Sequence, residues 1–171
     1  MKALLLLSVL ALTAAAVVDD ELPVPEEEDA DMFAAAEMDA PAQGRFFTCP
    51  AGWARYKNTC YLYASSSRSW SAAEYNCARL GASLASVHDV FDYSFLQSLT
   101  RRAGSLSAWT GGFYFQGWRW ADQSRFSYSN WSSMNSVSSY QCIYVHSRVG
   151  WSNGLCASAR PSICMKRTDS C

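Results

Sequence analysis

Seven cysteines, Cys49, Cys60, Cys77, Cys142, Cys156, Cys164 and Cys171, restrict this chain of 171 residues more than any other feature. None forms a Cys-x-x-Cys pair, the spacing that argues for metal or redox chemistry, so disulfides are expected if the chain is exported. The N-terminus predicts export. Lys2, an apolar run over residues 3–12 and the small residues Ala14, Ala15 and Ala16 form a secretory signal cut after about Ala16. The apolar run falls short of the ~20 residues of a membrane span, and Asp19 and Asp20 follow it at once, so no transmembrane anchor is expected. With an odd number of cysteines, at least one thiol is free, paired with another molecule or capped, and Cys171 is the expected outlier.

Charge divides the rest. Residues 19–39 carry ten acids and no base, interspersed with Pro23, Pro25 and many alanines. Such a stretch has too little apolar surface to fold and is expected to be disordered. Composition changes after Arg45, where Phe46, Phe47, Cys49 and Trp53 arrive together. The organisation predicted is a signal peptide at 1–16, an acidic pro-segment or linker at 17–45 and one folded domain at 46–171. From Phe46 onward twelve bases face five acids, a net of +7 hidden by the chain's total of −1. An acidic leader beside a basic domain reads either as a mask removed by cleavage after Arg45 or as a solubilising linker that is never removed. Half the residues are apolar and 14% aromatic, enough for one core.

Within the domain, aromatic alternation over residues 53–63 around Lys57 and Asn58 predicts a hairpin. Ser69 and Ser71 are candidate helix caps, with Ser71 and Glu74 fitting a capping box. Trp70, Ala73, Cys77 and Leu80 then share a helical face before Gly81. A second helix is expected from Ser86, with Asp89 in its first turn, Phe91, Phe95 and Leu99 inward, and Arg101 and Arg102 at its end. Later residues read as short strands and loops, including 142–145 and 162–165, which gives an α+β domain.

These landmarks resemble the long form of the C-type lectin-like domain. The residues that carry the resemblance are Cys49-Pro-Ala-Gly-Trp53, Cys60-Tyr61, the helix ending in Gly81-Ala-Ser-Leu-Ala-Ser-Val-His88, and Trp109-Thr-Gly-Gly112. Trp118-Arg-Trp120-Ala-Asp122, Asn130-Trp131, Cys142, Trp151-Ser-Asn153, Cys156 and Cys164 extend it. The Trp-Thr-Gly-Gly variant is similar to fish secreted lectins of the ladderlectin and nattectin type and to type II antifreeze proteins. The resemblance implies two helices packed on small antiparallel sheets with a long loop region. It also implies the pairs Cys49 with Cys60, Cys77 with Cys164, and Cys142 with Cys156, out of 15 arrangements that six cysteines allow.

Sugar-binding members of that family hold calcium with carboxylates near the positions of Asn130-Trp131 and Trp151. Here residues 132–141 contain no acid, Trp151 is followed by Ser152 and Asn153, and no Asp or Glu occurs between Asp122 and Asp169. Calcium requires several oxygens with charge among them, so no calcium and no other cofactor is expected there. Asn135, Ser136, Tyr140, Arg148, Ser152 and Asn153 are the ligand-binding candidates. Trp109, Trp120, Trp131 and Trp151 are assigned to the core. Asn130-Trp131-Ser132 is an N-glycosylation pattern.

Catalysis has little support. The two histidines, His88 and His146, belong to no recognisable catalytic motif. His88 is expected to be structural and His146 is unassigned. The function expected is a secreted, extracellular protein that binds glycans or anionic microbial surfaces without calcium and without enzymatic activity, as disulfide-linked oligomers through Cys171. No nucleic-acid partner is expected. The alternatives are a cationic effector restrained by an acidic pro-piece, resembling eosinophil major basic protein, and an ice-binding protein.

Overall fold

The computed structural model describes residues 48–168. The expected signal peptide, the acidic segment and Cys171 lie outside the described residues. Strands β1 (Ala54–Tyr56) and β2 (Thr59–Arg68) make the expected hairpin about Lys57 and Asn58. Helix α1 (Trp70–Ala78), the two-residue strand β3 (Ser83–Leu84) and helix α2 (Val90–Arg102) follow. The remaining strands are β4 (Ser107–Tyr114), β5 (Trp118–Trp120), β6 (Trp131–Ser133), β7 (Cys142–His146), β8 (Trp151–Gly154) and β9 (Arg160–Arg167).

The described strands form one sheet in the order β1-β2-β9-β4-β7-β8-β6, with β3 added on β9 and β5 on β4. Strand β9 lies between β2 and β4. It runs antiparallel to β2 from Thr59↔Arg167 to Ala64↔Ser162, and parallel to β4 at Trp109↔Ser162. Three disulfides close in the pairing the resemblance implies: Cys49–Cys60, Cys77–Cys164 and Cys142–Cys156. The second ties α1 to β9 across 87 residues of chain. In the chain-entropy view a loop of that length stabilises by about 4 kcal/mol.

Both helices differ in detail from the sequence expectation. Ser69 caps α1, its Oγ accepting from the Ala72 N–H at 3.4 Å. The capping box does not form, because the Glu74 carboxylate leaves the helix and accepts from the Leu84 N–H at 2.7 Å. Partial burial raises the Glu74 pKa, and the Leu84 bond opposes that rise. Leu80 falls beyond the helix end and is exposed, so the buried stripe of α1 is Ala73 and Cys77.

Helix α2 begins at Val90 rather than Ser86. Asp89 caps it by accepting from the Asp92 N–H at 2.7 Å, while the Ser86 hydroxyl donates to Asp122 Oδ2 at 2.7 Å. That start rotates the buried face to Asp92, Tyr93, Leu96 and Thr100. Phe91 is 66% exposed, whereas Phe95 and Leu99 pack at the edge of the core. Lys57 Nζ reaches Asp89 Oδ2 at 2.8 Å and Asp92 Oδ1 at 2.7 Å, joining the hairpin turn to the helix start. This hydrogen-bonded pairing holds the Asp89 carboxyl below its ordinary pKa and the Lys57 ammonium above its own.

Candidate functional site

The candidate region is built from β6, β7, β8 and the loop of residues 134–141. Its floor is aromatic. Trp109, Trp120 and Trp151 are buried as expected. Trp131, also assigned to the core, keeps part of its surface and packs on Trp118 at 4.8 Å and Trp151 at 5.9 Å. The Trp151 ring also meets Trp120, Tyr128 and Tyr93 edge-on at 5.7 to 6.1 Å, an arrangement favoured by the ring quadrupoles.

Strand β6 runs parallel to β8, and the Trp151 N–H donates to the Asn130 carbonyl at 2.9 Å. Gly150 permits this approach. A Cβ at that position would strike the Asn130 carbonyl oxygen and come within 2.8 Å of the Ser132 nitrogen. Asn130 itself is half-buried, and its side chain bonds to Tyr128.

Asn153 clamps the loop. It is fully buried, and its Oδ1 accepts from the Asn135 N–H at 2.7 Å. Its Nδ2 donates to the carbonyls of Asn135 at 2.9 Å and Tyr140 at 2.6 Å. The Asn135 amide returns a bond to the Asn153 carbonyl at 2.9 Å. Ser152 is buried too, with its Oγ 2.8 Å from Ser133 Oγ and 3.0 Å from His146 Nε2. Burial, and secondarily the charge of Arg160, lower the His146 pKa.

The six candidates therefore occupy three situations. Asn135, Ser136 and Tyr140 come together on the exposed loop, where the Tyr140 N–H donates to the Ser136 carbonyl at 3.0 Å. Ser152 and Asn153 lie inside and shape that loop. Arg148 is exposed in the turn joining β7 to β8, at the opposite end of the hairpin from the Asn153↔Ile143 pair, and is not gathered with the others.

Sequence reasoning left Ser133 and Arg160 unassigned, although both serve this region. The Arg160 guanidinium lies 3.8 Å from the Tyr144 ring centroid and 5.2 Å from that of Trp109, and donates to Ser107 Oγ at 2.8 Å. Tyr144 in turn packs edge-on against His146 at 4.9 Å. The alternation of Tyr144 and His146 along β7 hinted at a shared face, but nothing local pointed to Arg160.

Calcium is implied by the fold family, and the residues present do not fit it. The amide oxygen that Asn153 would offer already accepts a backbone bond, and the Ser152 hydroxyl is enclosed. No carboxylate lies within the stretch from Gln123 to Thr168. Among the described residues no group of three or more His, Cys, Asp or Glu converges to hold a metal. Neutral oxygens that are already spoken for cannot replace the hydration of a divalent ion.

The Lectin C-type domain family matches residues 66–166 of the chain. The chain belongs to the C-type lectin domain family. Ladderlectin of Oncorhynchus mykiss is 36% identical over 124 residues, covering 67% of this chain and 65% of ladderlectin, so the chain spans just under two thirds of that relative. The galactose-specific lectin nattectin of Thalassophryne nattereri is 30% identical over 128 residues, covering 70% of this chain and 80% of nattectin. Among solved structures, a Ca2+-dependent type II antifreeze protein in its Ca2+-free form superposes with a TM-score of 0.63 at 32% identity, covering 69% of this chain and 99% of that one. The resemblance to fish lectins and type II antifreeze proteins seen in the sequence is thereby established. No helix among the described residues of this C-type lectin domain is long and apolar enough to cross a membrane.

Proposed function

We propose that this C-type lectin domain is a secreted, extracellular recognition protein that binds glycans, including those of microbial surfaces, through the 134–141 loop without calcium in that loop. Asn153 is the observation that carries the reading. The residue supports the loop from within, through main-chain bonds and the Asn135 amide, and leaves Ser136, Tyr140 and the rest of the Asn135 surface exposed. Amide, hydroxyl and phenol groups recognise sugar hydroxyls directly, and an exposed ring stacks on a pyranose face. Arg148, at the far end of the β7–β8 hairpin, takes no part in this loop surface. The names of ladderlectin and nattectin favour a sugar ligand.

No enzymatic activity is proposed. Ser86, His88 and Asp122 do meet, but the Ser86 hydroxyl spends its proton on Asp122 and is 2% exposed, out of reach of a substrate. Cys171 is proposed to link copies of the chain, raising avidity for repetitive surfaces.

The deciding experiment is a glycan array probed with the mature protein, with and without chelator. Binding that survives chelation and weakens on Tyr140→Ala is expected. Binding abolished by chelator, together with calcium uptake in calorimetry, would refute the calcium-free reading. Ice binding is the second reading, favoured by the antifreeze structure at 32% identity. Thermal hysteresis in the absence of glycan binding would establish it. The net charge of +7 from Phe46 onward adds a control for a purely cationic effector, whose binding should vanish at high salt while pocket recognition persists.

A further inference from the structure

The β4–β5 hairpin carries aromatic side chains that, besides packing beneath the loop region, line a cavity of their own. Strand β5 pairs with β4 alone, and a cavity of about 320 Å³ opens between β5 and the chain that follows it. Its walls are Phe113, Trp118, Trp120 and Phe126, with Arg119 and Gln123 at the rim. The Phe126 ring stacks on both indoles, 6.4 Å and 27° from Trp118, and 5.0 Å and 28° from Trp120. Phe113, Trp118 and Phe126 each keep accessible surface. The cavity therefore offers flat ring faces rather than a closed apolar pit.

Arg119 is fixed in advance. Its Nε donates to the Phe115 carbonyl at 3.0 Å, and its guanidinium carbon lies 5.9 Å from the Phe115 ring centroid. The turn that presents this carbonyl has Gln116 at φ 52° and Gly117 at φ 130°, the latter a conformation suited to glycine. Arg119 is exposed and has no carboxylate partner among the described residues. Asp122, the nearest acid in sequence, is committed elsewhere. Its Oδ2 accepts from Ser86, and its Oδ1 accepts from the Ser124 N–H at 3.0 Å and from the Ser124 hydroxyl at 2.5 Å. The cavity thus presents one unneutralised, pre-oriented cation beside stacked rings.

We propose that this cavity is a second ligand site, one that takes a single pyranose ring bearing a carboxylate or sulfate group. The C–H face of such a ring packs on Trp118 and Phe126, and its anion takes the forked terminal nitrogens of Arg119. The volume is at the small end for ligand sites, which selects one ring over an oligosaccharide. The site shares no lining residue with the 134–141 loop and does not rest on the loop reading.

The test is an NMR titration of the full chain with methyl glucuronide, glucose 6-sulfate and neutral methyl glucoside. The Trp118 indole N–H, the Arg119 Nε–H and the amides of Asn135 and Tyr140 are followed. One or both acidic sugars are expected to shift the Trp118 and Arg119 signals, with the glucoside about tenfold weaker or more. Which acidic sugar binds assigns carboxylate or sulfate. R119Q, a change on an exposed side chain, is expected to bring acidic-sugar affinity down to that of the glucoside, and R119K to restore part of it. Shifts confined to Asn135 and Tyr140, equal affinity in R119Q, or no shift at Trp118 with either acidic sugar at tens of millimolar would each overturn the proposal.

Discussion

Around β9, the sheet is closed by a disulfide and by apolar contact. Cys77 and Cys164 join there, and Leu84, Ile163 and Trp109 pack with no exposed surface. Across β6, β7 and β8, buried Ile143, Val145 and Trp151 and the Cys142–Cys156 disulfide are joined by polar groups that hold the loop. Buried Ser152 bonds to Ser133 and His146, and buried Asn153 bonds to the loop backbone. Apolar closure tolerates changes of pH, whereas a buried polar network depends on every partner being present in the right protonation state. The scaffold is therefore expected to fail only when its covalent tie is lost, and the loop region to respond to single atoms.

The sharpest way to break this contrast is to remove the tie. Replacing Cys77 and Cys164 together by serine is expected to cost about 4 kcal/mol, read from chemical denaturation, and to leave little native protein at 37 °C. A loss below about 1 kcal/mol would mean that apolar packing alone holds the scaffold. Asn153→Ala comes next. It strands the Asn135 N–H and two carbonyls, and is expected to cost about 2 kcal/mol, with amide exchange at Asn135 accelerated before that of β9. Uniform acceleration across the domain would erase the distinction between the halves.

Asp89→Ala probes the scaffold's own polar device. Loss of the α2 cap is expected to cost about 1 kcal/mol in thermal unfolding. The exposed Lys57 pair adds little beyond that. The smallest effect is expected from pH. The folded-state pKa of His146 lies below the ordinary histidine value of about 6.5, so between the two the unfolded chain binds a proton that the folded chain does not. Its contribution is present above about pH 6.5 and is lost as pH falls toward the folded value. His146→Gln should flatten that part of the stability profile. The lowered pKa of Asp89 acts in a separate window, since its contribution is kept above about pH 3.8 and lost as pH falls through the folded value.

The fold was largely legible because its signals are local. The turn at Lys57 and Asn58, the Ser69 cap, the strand runs about Cys142 and Ile163, and the ordered tryptophans each announce themselves within a few residues. Errors arose where a side chain chose a distant partner. Glu74 left its capping box for Leu84, and Ser86 gave its hydroxyl to Asp122, which delayed α2 and turned Phe91 outward. In the candidate site, sequence pointed to a stretch without separating exposed residues from those that brace it. Ser152 and Asn153 resemble Asn135 and Ser136 in composition, and only the pairing of β8 between β6 and β7 places them inside. Arg160 was illegible for the same reason, being distant along the chain from the rings it covers.

The Asn153 side chain grips only main-chain atoms of residues 135 and 140, and so takes no interest in the side chains carried between them. Residues 136–139 thus form an interchangeable cassette on a fixed mount, and a lineage or a library is free to rewrite that stretch and acquire new targets while the protein beneath stays the same.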